Sequence, residues 1–390
     1  MKLGPTRLAK LRGFALSSPF GSGYSLGQPL GVKSVGFVEA VSEDGCVGWG
    51  ETYAGVYVPE LIEPAVRALA PLLEGKDIVD IAAATQGLLR IPFVGRDGLL
   101  RSVAGAVDIA LWDLESRRRG VPLAKLWGAA PRPDVAVYAS AGSAALSPDE
   151  VARDAREALA AGHERFKMRV GFQDWTIDLE RVRAAREALG PDRELMVDAI
   201  MGTVVPAWDA DTALRRIKDI EPFRLRWVEE PVAPDDFEGM KKVKAGSSLP
   251  IAAGEAYTAF SDFERVLADG SVDVLQPDAT HSGGFSAVRA IADRAGAAKR
   301  PLALHVWGSQ LAGNAHLILG AALPGVEVVE RPAVAFALDR AIARRVPTVA
   351  RGLAVLEEAP GLGVEIDDAV RREFRLVEGS GYRWGAKAKA

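Results

Sequence analysis

The chain carries one cysteine, Cys46, in 390 residues, so it can form neither an intramolecular disulfide nor a cysteine-based metal cluster. That scarcity suits a reducing compartment, and the expectation is a cytoplasmic protein. Positive charge is not in surplus either: 48 Lys and Arg face 52 Asp and Glu, for a formal net charge of -4. Without a basic field to hold a phosphate backbone, nucleic acid is not an expected partner. No apolar run is long enough to span a bilayer, and the basic start MKLGPTRLAKLRGF does not lead into the apolar stretch of a signal peptide. No membrane partner is expected. Walker and dinucleotide glycine motifs are also missing. Gly23-Tyr24-Ser25-Leu26-Gly27 matches the nucleophile elbow of serine hydrolases, but it sits in a Gly- and Ser-rich loop and not between a core strand and a helix, so that reading is set aside. The small cationic ending GAKAKA is given no function.

What is present is 48% hydrophobic and 26% charged residues, the balance of a globular protein with a sizeable core. The length favours a large barrel with a smaller domain. Residues 33 to 50 read as two strands joined by the turn Glu43-Asp44-Gly45, and PELIEPAVRALAPLLEG and RSVAGAVDIALWDLESRRRG then carry apolar residues at helical spacing. The first third is therefore α+β. From about residue 134, short apolar runs alternate with longer amphipathic ones. Eight strands are expected, ending at Ser140, Arg169, Asp198, Glu229, Glu255, Asp278, His305 and Glu330, with steps of 23 to 31 residues between successive ends. Each step is the length of one βα unit, and eight such units specify a closed barrel.

In seven of the eight units a titratable or charged residue sits at the C-terminal end of the strand, where barrels place their active sites. Ionised groups in a barrel mouth cost several kcal/mol each unless paired or bound to metal. Asp198, Glu229 and Glu255 end three consecutive strands and project side by side as acceptor-only groups. A hard dication with oxygen ligands resolves their repulsion and keeps positions open for water and substrate, as magnesium prefers. Lys167 and Arg169 lie two residues apart on the second strand, so both face the interior. Asp278 and His305 end neighbouring strands, close enough for the carboxylate to bond one ring nitrogen and leave the other as a base.

With these residues in place, the chain resembles the mandelate racemase and muconate lactonizing enzyme branch of the enolase superfamily. The likeness runs in order through GWGE at 48 to 51, VDIALWDLESRRRGVPLAKLWGA at 107 to 129, FKMR at 166 to 169, VDA at 197 to 199, WVEEP at 227 to 231 and AAGE at 252 to 255. It continues through LQPDATHSGG, LHVWG and PGLGVE at 360 to 365. The resemblance implies a (β/α)7β TIM-like barrel over residues 131–345. An α+β capping domain would come from residues 1–130, with the C-terminal segment, 346–390, returning to it. It implies Mg2+, or Mn2+ in its place, on Asp198, Glu229 and Glu255, with Lys167 and the Asp278–His305 pair as acid and base. Glu330 would bond the substrate carboxylate or its enolate. The implied chemistry is removal of the proton beside a carboxylate, with an acid sugar or its lactone as substrate and a homo-oligomer as the assembly.

Two positions depart from the family pattern. Where the family usually reads Lys-x-Lys, this chain reads Lys167-Met168-Arg169, and a guanidinium is a poor base better suited to holding a carboxylate or hydroxyl. Ile200 stands where many relatives place asparagine. The loops near 17 to 27 and 52 to 59 are read as a lid, with Tyr24, Tyr53 and Tyr57 as either substrate contacts or packing. LHVWG, with QPD and GGFS before it, looks most like acid-sugar dehydratases and lactone cycloisomerases. Dehydration is the leading expectation, racemisation or epimerisation and cycloisomerisation the alternatives, and a non-catalytic binding protein on the same fold the reading from another class.

Overall fold

A computed structural model describes residues 5–20, 30–92, 94–334 and 336–383. Tyr24 and the Gly23–Gly27 motif lie outside these residues. The N-terminal sheet is antiparallel, with β1 (Thr6–Pro19), β2 (Val32–Ser42), β3 (Val47–Thr52) and β4 (Asp77–Ile78) in the order β3-β2-β1-β4. The Glu43–Gly45 turn joins β2 to β3 as expected, with Gly45 at φ 82°. Against β3 packs the helix Gly98–Arg119, which ends at Gly120 in the left-handed conformation. The glycines of GWGE allow that contact: a Cβ on Gly50 would lie 1.9 Å from the Ala106 carbonyl oxygen. Any larger residue would push the helix off the sheet.

Eight parallel strands follow: β5 (Val135–Ser140), β6 (Arg165–Arg169), β7 (Glu194–Asp198), β8 (Val228–Glu229), β9 (Ile251–Ala253), β10 (Val274–Leu275), β11 (Leu302–Leu304) and β12 (Val326–Pro332). Each pairs with the next, and β12 pairs with β5 through Val329 opposite Val137, which closes the barrel. The eight-strand expectation therefore holds. Glu255, Asp278 and His305 sit just beyond β9, β10 and β11, while Glu330 is within β12. The barrel floor is filled by Tyr138, Met196, Ala252, Ala303 and Val328 from five different strands and by Trp227 just before β8, so the interior is a packed core with its polar groups pushed to one end.

After the barrel, β13 (Thr348–Ala350) and β14 (Leu353–Val355) form a hairpin that joins the outside of β5. The chain then crosses to the N-terminal layer. Asp113, in the helix Gly98–Arg119, accepts hydrogen bonds from Trp49 N (2.8 Å) and Leu362 N (2.6 Å) and from Arg117 Nε (2.9 Å). Further on, Ser17 N donates to the Phe374 carbonyl at 3.0 Å. Glu51 tightens the seam from the cap side by accepting from Ser309 N (2.8 Å) and Ala312 N (3.2 Å), at the N-terminus of the barrel helix Gln310–Ala322. An acidic group there complements the helix dipole.

Candidate active site

The C-terminal ends of the strands open onto a cavity of about 360 Å3 whose lining includes Arg169, Asp198, Glu255 and His305 from the barrel and Tyr53 and Tyr57 from the cap. Asp198, Glu229 and Glu255 each offer a carboxylate oxygen within 4.8 Å of the others. Parallel pairing sets this up, because Asp198 on β7 stands opposite Glu229 on β8. Burial, and next the negative charge of Glu229, push the Asp198 carboxyl up to about 8. Two backbone outliers flank these positions, Ile200 at φ 49° and Glu230 at φ 43°. A β-branched residue in the left-handed region is strained, and such strain collects at functional sites. At Ile200 the strained backbone aims its N–H at Asp198 Oδ1, 2.8 Å away.

Glu229 is fully buried and fixed from three sides. Oε2 accepts from Trp227 Nε1 (3.1 Å) and Gln276 Nε2 (2.6 Å), and Oε1 lies 2.5 Å from Lys167 Nζ. The same ammonium stands 3.1 Å from Glu330 Oε1 and 3.9 Å from Asp198 Oδ2. Although burial opposes the charge, Glu229 and Glu330 hold Lys167 well above its ordinary pKa. Arg169 lies 3.9 Å from Asp198 Oδ2, and its guanidinium packs over the Trp307 ring, 4.2 Å from the centroid. Both basic residues of β6 thus face the mouth, as their spacing predicts.

His305 Nδ1 is 2.8 Å from Asp278 Oδ2. The carboxylate accepts there, which leaves Nε2 facing Glu255 Oε2 at 3.1 Å and Glu330 Oε2 at 3.8 Å. Asp278 is itself fixed by Thr280 N (2.8 Å) and Thr280 Oγ1 (2.7 Å). His316 stands behind it with Nε2 3.2 Å from Asp278 Oδ1. Since His316 Nε2 accepts from Ala279 N at 2.8 Å and Nδ1 donates to the Ala312 carbonyl at 2.8 Å, that ring serves the backbone and is no second dyad. Burial works against charging His305, yet the carboxylates of Glu255 and Glu330, with the Asp278 hydrogen bond, raise its pKa to about 10. Glu330, pushed up by burial but held down by Lys167 and His305, lies at about 2. Its Oε2 accepts from Val306 N at 3.1 Å.

Taken together, Asp198, Glu229, Glu230, Glu255, Asp278 and Glu330 outnumber the permanently cationic side chains beside them among the described residues, Lys167 and Arg169. All but Arg169 and Glu255 are buried to 2% exposure or less. Such an excess of negative charge calls for a cation. Carboxylates on three adjacent strands, all oxygen donors with one side open to the cavity, fit a hard dication of magnesium's kind. Several of these features escaped the sequence reading. Glu230, Trp227 and Gln276 sit in WVEEP and LQPD, where motif likeness flags them but gives no geometry. Tyr382, which also lines the cavity, carries no motif signal.

Residues 29–128 match the family described as "Mandelate racemase / muconate lactonizing enzyme, N-terminal domain", and residues 150–370 match "Enolase C-terminal domain-like". The chain belongs to this family and is an enzyme of the enolase superfamily. It is 36% identical over 299 residues to the L-talarate/galactarate dehydratase of Salmonella typhimurium, covering 76% of this chain and 72% of that one. It is 32% identical over 355 residues to the D-galactarolactone cycloisomerase of Agrobacterium fabrum, covering 87% and 91%. Among solved structures, a racemase from Streptomyces coelicolor A3(2) with bound magnesium superposes with a TM-score of 0.83 at 30% identity, covering 94% of this chain and 99% of that one.

Proposed function

We propose that the protein is a magnesium-dependent acid-sugar dehydratase in which His305 removes the proton beside the substrate carboxylate. The observation that carries this reading is the asymmetry of the two basic groups. His305 is held in one tautomer by Asp278 with Nε2 facing the cavity, whereas Lys167 is an ammonium satisfied by Glu229 and Glu330. Racemisation needs an efficient base on each face of the α-carbon, and elimination needs only one. The likeness to a dehydratase and a cycloisomerase supports elimination over racemisation.

Asp198, Glu229 and Glu255 would hold the metal. When bound, it supplies positive charge against the carboxylate oxygens as the α-proton leaves. Arg169 orients the carboxylate at the same end of the cavity, and Lys167 adds fixed positive charge there. The C–H bond breaks, its proton goes to His305 Nε2, and its electron pair enters the enolate. That pair then expels the β-hydroxyl, which takes a proton from His305 and departs as water. The resulting enol tautomerises to a 2-keto-3-deoxy acid. Glu330, held ionised beside Lys167 and His305, keeps both in place. A lactone cycloisomerase would use the same base with a ring oxygen as leaving group, and the 32% identity to such an enzyme over 355 residues keeps it as the second reading.

In this reading the cap comprises residues 1–130 and 346–390 and the barrel 131–345. The protein works in the cytoplasm as a homo-oligomer. The single cysteine suits that compartment, and among the described residues no helix is long and apolar enough to cross a membrane. Incubating the protein with Mg2+ and a panel of acid sugars and lactones in deuterated water, followed by proton NMR, tests the function. Loss of a β-hydroxyl from one of them is the expected result. Interconversion of epimers faster than any loss of water would overturn dehydration.

A further inference from the structure

Besides Lys167, a second lysine is wholly buried: Lys33, near the start of β2 in the cap. An ammonium group carries three protons and calls for acceptors. Among the described residues this one donates a single long hydrogen bond, to the Gly308 carbonyl at 3.4 Å, and no carboxylate lies within ion-pair distance. It has aromatic rings instead. Nζ lies 4.5 Å from the ring centroid of Trp307, 4.9 Å from that of Phe20 and 5.3 Å from that of Phe336. The rings pack edge to face around Phe20, with centroids 5.5 Å away for Trp307 and 5.7 Å away for Phe336. Burial pulls Lys33 down to about 8, against the charges of Asp339 and Glu51, so the group is cationic at neutral pH. Burying a charge without an ion pair is costly, and a methionine would fill the same space. Packing alone therefore does not account for a lysine here.

Two of the three rings, Phe20 and Trp307, line the active-site cavity. Trp307 lies two residues beyond His305, in the loop after β11, and the same indole carries the Arg169 guanidinium 4.2 Å from its centroid. One ring is thus shared by a cation from the cap and a cation from the barrel. The backbone of that loop is held by other groups. Glu51, on β3 of the cap, accepts from Ser309 N at 2.8 Å and Ser309 Oγ at 2.6 Å, and a Cβ on Gly308 would lie 2.0 Å from Glu51 Oε1. Asp339, in the helix Ala337–Ile342, accepts from Gln310 N at 2.7 Å. Both carboxylates near Lys33 therefore have donors of their own, and what the ammonium touches is the Trp307 side chain and its aromatic neighbours.

We propose that Lys33 is a positioning residue of the active site, a cation carried by the cap that fixes the Trp307 ring and, through that ring, the Arg169 fork that orients the substrate carboxylate. The inference rests on the role given to Arg169 in the acid-sugar reading above and deepens it. A desolvated cation over an indole is attracted by the ring quadrupole, so it restrains the ring more firmly than a hydrocarbon of the same size. Arg169 recognises a carboxylate through a planar fork, and the orientation of that fork depends on the ring it stacks on. Lys33 itself, fully buried, touches no substrate. Docking of β2 against the barrel completes the carboxylate-binding wall of the cavity.

The test uses Lys33→Met, which keeps the length of the side chain and removes its charge. Calorimetric binding with Mg2+, in the His305→Asn background so that nothing is turned over, compares D-galactonate and D-gluconate with their neutral primary amides. The acids should bind at least about fivefold more weakly, the size of one desolvated cation–π contact, while amide binding changes less than about twofold. With His305 in place, KM for the acid that is turned over should rise by a similar factor, kcat should change less, and Tm should stay within a few degrees. In an Arg169→Lys background, where the fork is already gone, Lys33→Met should weaken acid binding by less than about twofold further. Acid and amide weakened alike, unchanged acid binding, or the full loss repeated on top of Arg169→Lys would overturn the inference and leave the acid-sugar reading intact. Should Lys33→Met not fold, Trp307→Leu removes the ring that links Lys33 to Arg169 and should show the same acid-selective loss; equal loss for acid and amide there would overturn the inference as well. If neither acids nor amides bind with Lys33 in place, the acid-sugar reading fails and the inference falls with it.

Discussion

Single residues carry the chemistry, and each has an expected consequence when changed. Glu229 offers one oxygen toward the metal cluster and uses the other to accept from Trp227 and Gln276, so Glu229→Gln should remove a charge while keeping most of the packing. Ligand binding raises stability in proportion to its free energy, and the wild-type protein should gain several degrees in Tm when Mg2+ is added. The variant should gain none and should lose at least about a thousandfold in activity, a loss of the size seen when one electrostatic contact to the transition state is removed. Full turnover after exhaustive chelation would contradict the metal requirement. Arg169 makes a different prediction. Its planar fork packs on Trp307 and its charge is permanent, so Arg169→Lys should raise KM about tenfold and shift the acid side of the pH profile. An unchanged KM and profile would remove Arg169 from substrate orientation. Legibility at this scale was high for the ring of strand-end residues, because barrel register and period-two alternation place them without further information. It was low for Glu230 and Tyr382: the first needed the strained backbone to be seen, and the second arrives from a tail whose sequence has no periodicity.

At the scale of elements, the cap and barrel are joined by buried carboxylates, among them Glu51, Asp108 and Asp113 in the strings that resemble the family. Asp113 is fully buried and receives three hydrogen bonds, from β3, from the segment at Leu362 and from Arg117. Asp108, one helical turn earlier, accepts from Ser286 N at 3.0 Å at the start of a barrel helix. Removing one partner of such a group strands the others, so Asp113→Ala should cost about 3–5 kcal/mol, read as a lower Tm and early proteolysis within 346–383. A Tm within one degree of wild type would show that the junction is held elsewhere. Alternation and helical spacing made the elements themselves readable, including the Glu43–Gly45 turn and the helix ending at Gly120. The hairpin Thr348–Val355 was not read, because its two strands have three residues each and sit outside the closed barrel on β5. Three residues are too few for a period to register.

For the whole molecule, pH acts through stability as well as through the site. His163 is buried beside β6 with Nδ1 lacking a partner, and burial, then Arg331, lower its pKa to about 4. The unfolded chain takes up that proton near 6.5. Stability should therefore be complete above about 6.5 and fall as pH drops toward 4, by at most about 3 kcal/mol from this ring. Calorimetric Tm at pH 7.5 and 5.0 should show the loss, and His163→Gln should reduce it; an identical loss in the variant would assign it to other groups. His305 has the opposite shift and belongs to the site. A cation on Glu255 would compete for the carboxylate that now faces Nε2 and lower the ring's pKa toward neutrality, so Mg2+ should move its titration downward in NMR. These effects converge on one claim, that His305 takes the α-proton of a carboxylate held at the Asp198–Glu229–Glu255 cluster. Proton NMR in deuterated water with Mg2+ tests it most directly. Wild-type protein should exchange the α-proton of its acid-sugar substrate, and His305→Asn should abolish exchange and turnover together while still binding Mg2+. Exchange at the wild-type rate in His305→Asn would contradict the account and move the base to Lys167.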